Sequence, residues 1–272
     1  MPYPRLNARF PRKRAFITGA GSGLGLELAR ALAGDGWSLG LFDRNLATLT
    51  QVEGTLSAAG IPVLAYPGDV TQADELTVAV NSFAATHDGL DVMINNAGVA
   101  GCGTLMEVSL EDWRWIIDIN LMGVVHGCRA AVPHLQRNGT GLLVNVASAA
   151  AFASAPGMGS YNATKAAVLS LSETLSSELR SANVQVSVVM PTYFKTDLLA
   201  SVRGPERFRA AAEQRMNRSA YPVTAVAHDV LTLAGEGKLY ILLPKESRKM
   251  WRMKRWMPEW FLKKVAAMRG EP

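Results

Sequence analysis

The stretch AFITGAGSGLGLELARAL, residues 15–32, changes its periodicity at a glycine-rich turn. Its first four residues, AFIT (15–18), form a short apolar and β-branched run of the kind that makes a buried strand. The residues from about 23 to 34 carry a helical period. Between them, glycines at 19, 23 and 25 free the backbone for a tight turn and for close approach to a pyrophosphate. The helix that starts there directs its N-terminal amides at negative charge. Position 24 is Leu, so the spacing is not the commoner G-x-G-x-x-G fingerprint. A tight turn with no ligand is the plain alternative, and the turn's position after the first strand of a longer series weighs against it.

That series runs through the body. WSLGLF (37–42), PVLAY (62–66), DVMIN (91–95), GLLVNVAS (141–148), VQVSVVM (184–190) and KLYILL (238–243) read as further strands. Helical segments lie near 23–34, 45–59, 72–87, 109–136, 159–182 and 222–235. Several strand runs are apolar throughout, as when helices cover both faces of a parallel sheet. Right-handed crossovers then give an α/β fold: a doubly wound (Rossmann) parallel sheet of seven strands flanked by helices. One domain is expected over residues 1–244, with an irregular substrate loop at 191–221 whose RGPERFRAAAEQRM could form a short helix. A basic, amphipathic, Trp-rich extension follows at 245–272.

Composition sets the limits on function. A chain of 272 residues with 49% apolar residues can bury one large core. The basic N-terminus MPYPRLNARFPRKR lacks the apolar run and cleavage site of a signal peptide, and no stretch approaches the ~18 apolar residues of a spanning helix, so a cytoplasmic location is expected. Cys102 and Cys128 are too few for a disulfide framework and read as reduced thiols. The four histidines are scattered without ligand spacing, and no metal site is expected. The net charge of +5 is uneven: residues 245–272 hold nine Lys/Arg against three Asp/Glu, which is +6, against −1 for the rest. A nearly neutral body does not suit a nucleic-acid binder.

The second strand candidate is followed by Asp43, eighteen residues beyond Gly25, where an acidic side chain accepts hydrogen bonds from both adenosine ribose hydroxyls. That favours NAD. Arg44 keeps NADP open, since a guanidinium beside the ribose could hold a 2′-phosphate. Asp43 could instead cap the helix that follows.

The run TGAGSGLG (18–25), GDV (68–70), NNAG (95–98), Asn120, Ser148 and YNATK (161–165) together resemble the short-chain dehydrogenase/reductase family, over roughly residues 12–243. The resemblance implies a catalytic set of Asn120, Ser148, Tyr161 and Lys165. Tyr161 and Lys165, at i and i+4, share one helix face. Tyr161 would act as general acid or base, and Lys165 would lower its pKa and bind the nicotinamide ribose. Ser148 would hydrogen-bond the substrate oxygen, and Asn120 would hold a water. Cofactor contacts are implied for Gly19, Ser22, Gly23, Leu24, Gly25, Asp43, Arg44, Asp69, Val70, Asn96, Ala97, Gly98, Tyr161, Lys165, Pro191 and Thr196, with Asn95 mainly stabilising the sheet. Where the family commonly has Pro-Gly, this chain has Pro191-Thr192.

The edges that would flank the reaction, VAGCGTLMEV (99–108) and TYFKTDLLASVRGPERF (192–208), are apolar and offer Met106, Tyr193, Phe194, Leu198 and Leu199. They point to a hydrophobic secondary alcohol or ketone of steroid, lipid or aryl type. A non-catalytic dinucleotide-binding sensor or scaffold is the alternative. The resemblance also implies a homodimer or homotetramer, with small residues such as Ala163, Ala166, Ala167 and Ser170 allowing close helix approach. In the tail, Trp251, Trp256 and Trp260 stand among lysines and arginines, and Pro258-Glu259 suits the first turn of a helix. This segment could lie on an anionic bilayer, fold over the substrate entrance or pack on a partner subunit.

Overall fold

The computed structural model describes residues 3–196, 198 and 201–267. Strands β1 (Arg14–Thr18), β2 (Ser38–Asp43), β3 (Val63–Pro67), β4 (Val92–Asn95), β5 (Gly141–Val146), β6 (Val184–Pro191) and β7 (Tyr240–Leu243) form one sheet in the order β3-β2-β1-β4-β5-β6-β7. Every pairing is parallel. The order reverses between β1 and β4, and a crevice opens at the carboxyl edge there. Register sets Thr18 beside Phe42 and Asn95 beside Asn145, so the loops that leave these strands share that edge.

The apolar character of the strands follows from cover on both sides. All residues of β1 and β5 are buried. Helices α1 (Pro4–Arg9), α2 (Gly23–Ala33), α3 (Leu46–Ala58) and α10 (Val223–Gly235) cover one face, with Leu28, Leu32 and Val230 in its core. The other face carries α4 (Ala73–Thr86), α5 (Leu110–Ile117), α6 (Gly123–Arg137) and α8 (Gly159–Glu178), where Phe16, Phe83, Val124 and Val168 are fully or almost fully buried. At the opposite edge from the crevice, Arg14 and Asp91 form a buried two-pronged ion pair, Nη2 to Oδ1 at 2.8 Å and Nε to Oδ2 at 3.0 Å.

Three departures from the sequence reading have local causes. The basic N-terminus forms α1, whose Leu6 and neighbouring Phe10 are buried while Asn7 bridges the Trp37 indole and Asp35. The expected helix over 109–136 is interrupted by a π-helical turn, Asp118–Met122, which turns Asn120 wholly inward. The helix expected over 159–182 gives way to a 3-10 turn at Arg180–Ala182.

The short helix expected in the irregular loop is α9 (Glu206–Asn217), and a four-residue α7 (Ala150–Ala153) precedes α8. The tail forms α11 (Ser247–Trp256) and α12 (Pro258–Ala267), the latter starting at Pro258 as the sequence predicts. Trp251 of α11 meets Phe152 edge-on, with ring centroids 5.1 Å apart, and Tyr240 at 5.6 Å.

Candidate active site

The glycine turn sits at the crevice. Gly19 and Gly23 have φ of +65° and +53°, which L side chains rarely adopt. A Cβ on Gly19 would also stand 2.8 Å from the Cα of Ala97. Ser22 caps α2 in an extended conformation, but its side chain makes no cap hydrogen bond. The first-turn amides of α2 therefore face the crevice without an internal acceptor. Gly25 packs against the carbonyl of Gly19 at the back of the turn and does not line the cavity.

One cavity of about 390 Å³ runs along this edge, and it brings the sequence-predicted residues together. Gly19, Ser22, Gly23 and Leu24 line it, with Asp43 and Arg44. So do Asp69, Val70, Asn96, Ala97 and Gly98, then Tyr161, Lys165, Pro191 and Thr196. Asp43 is held from two sides: Oδ2 accepts from the Gly21 N–H and Oδ1 from the Asn45 N–H, both at 2.9 Å. It does not cap α3, because Asn45 takes that role by accepting from the Thr48 N–H. Arg44 is exposed. Asp69 accepts from the Thr71 N–H and its own N–H donates to Glu75, which shapes the turn into α4. The Thr18 hydroxyl accepts from the N–H groups of both Asn96 and Ala97, and so ties the end of β1 to the segment after β4. Sequence reasoning missed Thr18, whose role comes from the pairing of β1 with β4.

Tyr161 and Lys165 occupy the first turns of α8, and both are buried. Lys165 Nζ donates to the carbonyl of Val146 at 2.9 Å, and Ser148 stands near enough to the Tyr161 phenol to hold its pKa down. The Ser148 hydroxyl in turn accepts from the Ala150 N–H at 3.1 Å, which fixes its position at the start of α7. Asn120 uses both ends of its amide on Val99, accepting from N–H at 2.8 Å and donating to C=O at 2.9 Å. It braces the cavity floor behind Gly98 and does not line the cavity. Burial pushes the Tyr161 phenol up to about 12; Ser148 partly offsets this and Tyr193 adds to it. Burial also brings the Lys165 ammonium down to about 8. Loss of water is the largest influence on both groups, and for the phenol it works against the lowering that the resemblance implies.

Beneath these groups a polar chain crosses the sheet. Asn95 Nδ2 donates to Asn145 Oδ1 at 2.9 Å, and Asn145 Nδ2 donates to Ser172 Oγ at 3.0 Å. Ser172 then donates to the carbonyl of Val168 within α8. Asn95 accordingly serves the sheet, as expected, and its partner Asn145 and the Ser172 beyond it had no local signal in the sequence.

A second cavity of about 380 Å³ adjoins the first and shares Tyr161, Pro191, Phe194, Thr196 and Leu198 with it. Its wall includes Ser148 and is otherwise mainly apolar, with Tyr193, Met158, Phe208 and Met216. Met250 of α11 and Val265 of α12 close one side. Of the expected substrate contacts, Tyr193, Phe194 and Leu198 are in place, and Leu199 lies outside the described residues. Met106 is a correction: it is 91% exposed. The loop folds back through the Glu107 carboxylate, which accepts from Thr104 and pairs with Arg207, and leaves Met106 at its outer tip. Among the described residues, no group of three or more His, Cys, Asp or Glu could hold a metal ion, and no helix is long and apolar enough to cross a membrane.

Known proteins share this arrangement. Residues 13–207 match the short chain dehydrogenase family. An uncharacterized oxidoreductase of Staphylococcus aureus (strain USA300) is 31% identical over 216 residues, covering 79% of this chain and 93% of that protein. The crystal structure of a short chain dehydrogenase/reductase from Burkholderia phymatum in complex with NAD is 31% identical, with a TM-score of 0.86 over 91% of this chain and 94% of that one. A short-chain dehydrogenase from Sphingobium yanoikuyae in complex with NADPH is 27% identical, with a TM-score of 0.77 over 92% and 94%. A match that runs from the residue before β1 into α9, on a sheet of this order, makes the chain a member of the short-chain dehydrogenase/reductase family of oxidoreductases.

Proposed function

We propose that the protein interconverts a hydrophobic secondary alcohol and its ketone, of steroid, lipid or aryl type, with NAD as the preferred cofactor. One observation carries this reading: the polar crevice and the apolar chamber meet at Tyr161, which lines both. The crevice residues fit a nicotinamide dinucleotide. The amides of α2 and the uncommitted Ser22 hydroxyl would hold its pyrophosphate, Asp43 its adenosine ribose, and Lys165 its nicotinamide ribose. When bound, the nicotinamide supplies or accepts the hydride.

The chain itself handles the proton. In the reducing direction the Tyr161 phenol gives its proton to the carbonyl oxygen of the substrate while the Ser148 hydroxyl donates a hydrogen bond to the same oxygen. Charged Lys165 stabilises the phenolate that remains. In the oxidising direction the phenolate takes the proton back. The apolar chamber excludes water and strengthens each of these interactions.

The carboxylate of Asp43 would repel a 2′-phosphate, which supports NAD over NADP; the exposed Arg44 is the feature that would admit NADP. The outward residues Ala163 and Ser170 on α8 support a homodimer or homotetramer. The buried thiols of Cys102 and Cys128 suit a reducing, cytoplasmic compartment.

The test is a screen of purified protein against steroid, fatty and aryl alcohols with NAD and NADP in parallel, followed at the absorbance of the reduced nicotinamide. Turnover that disappears in Tyr161→Phe supports the reading. Tight NAD binding with no turnover across the panel would favour a redox sensor or scaffold.

A further inference from the structure

The tail is two-faced. On α12, Phe261 is buried and Val265, one turn on, lines the apolar chamber. On α11, Trp251 is packed on Phe152 and Tyr240, and Met250 lines the same chamber. The inner faces of both helices are therefore part of the wall around the reacting oxygen. The outer faces are built differently. Trp256, Met257, Trp260 and Leu262 expose 84%, 48%, 45% and 38% of their surface. Around them Lys249, Arg252, Arg255, Lys263 and Lys264 are exposed, and none of these forms an ion pair among the described residues.

We propose that the outer face of α11–α12 seats the protein on an anionic lipid bilayer, and that the same two helices admit an apolar substrate from the lipid into the chamber. The charge complements an anionic surface, and the exposed tryptophans suit the headgroup boundary, where one side of the ring is apolar and the other wet. A second copy of this face is disfavoured because a self-complementary contact would bring cations against cations. A soluble polyanion would neutralise the charges and leave Trp256, Met257 and Leu262 in water. Docking stands on the tail alone; delivery rests on the apolar-substrate reading above.

The experiment uses the full chain with two surface variants, Trp256→Ser/Trp260→Ser and Lys263→Glu/Lys264→Glu, whose positions are exposed, so that both are expected to melt as the parent does. Flotation is measured with vesicles of phosphatidylcholine alone and of phosphatidylcholine with phosphatidylglycerol, at low and high salt. The expected result is binding to the anionic vesicles that falls about tenfold or more with salt and in each variant. No binding to anionic vesicles, equal binding to neutral ones, or binding unchanged in the variants overturns docking. Sedimentation velocity without lipid that shows dimers lost in the variants overturns it in favour of a second copy. Delivery is read with an apolar alcohol supplied inside the vesicles and a short water-soluble alcohol supplied in buffer. Loss of the first activity alone in the variants supports it, and parallel rates on both in parent and variants overturn it. Vesicle binding is scored without any turnover, so a failure of the substrate reading is recognised separately.

Discussion

Lys165 Nζ lies 5.8 Å from the centroid of the Tyr161 ring and donates to the carbonyl of Val146. Both groups are buried, and burial displaces their titrations in opposite directions. Ketone reduction needs the phenol protonated and the ammonium charged. With Tyr161 pushed up to about 12 and Lys165 brought down to about 8, the first condition holds throughout the neutral range, and the second is lost as pH rises through about 8. The kcat/KM for reduction should be flat below that point and then fall about tenfold per pH unit. In Lys165→Met the plateau should be lower and the break absent, which a pH profile of the two proteins decides.

Removing the phenolic hydroxyl in Tyr161→Phe keeps the ring that packs beside the chamber and deletes the proton donor. The expected loss is about 10²–10⁴ in kcat, with little change in NAD affinity. Steady-state kinetics beside a cofactor titration separates the two.

Asp43 holds the N–H groups of Gly21 and Asn45 as well as facing the crevice. In Asp43→Ser the charged acceptor is gone, and a hydrogen bond to a charged group contributes roughly 1.5–3 kcal/mol, or about 10–100-fold in affinity. The KM for NAD should rise by that factor. The ratio of kcat/KM for NADP over NAD should rise more, because Arg44 then has no carboxylate beside it. Measuring both cofactors in parent and variant checks the direction.

The Arg14–Asp91 pair makes a stability prediction remote from the site. Both side chains are almost fully buried, at 4% and 5% exposure, so Asp91→Ala leaves an uncompensated guanidinium inside. A loss of about 3–5 kcal/mol is expected in urea denaturation. Arg14→Met/Asp91→Leu should recover much of it, since no charge is then left buried.

How much of this was legible in the sequence depended on whether a signal was local. The strands announced themselves because burial on both faces leaves nearly continuous apolar runs such as LLVNV in β5, where Asn145 alone is polar. The glycine turn was legible because turn geometry is local, whereas the Tyr161–Lys165 pair drew its meaning from its spacing to Asn120, Ser148 and the glycine turn, a set that resembles one family. The short helices α1, α7 and α11 were not, since six, four and ten residues give too little periodicity to separate from irregular chain. The chamber's far wall was equally hidden. Met216, Met250 and Val265 come from α9, α11 and α12, and their meeting depends on how those helices pack, which no local pattern records. Met106 shows the converse: an apolar residue in an apolar stretch, turned outward by one glutamate.

The Asn145–Ser172 hydrogen bond also has a mechanical consequence for the catalytic helix. Ser172 stands eleven residues after Tyr161, which at 3.6 residues per turn returns it to within about 20° of the same side. The bond therefore acts as an index pin on the angular phase of α8. A roll of ~10° would swing a group at the helix's ~6 Å outer radius through about 1 Å. A displacement of that size can cost ~10²-fold in rate. The aim of the phenol at its target is thus set some 16 Å down the helix axis, at a serine that no substrate reaches.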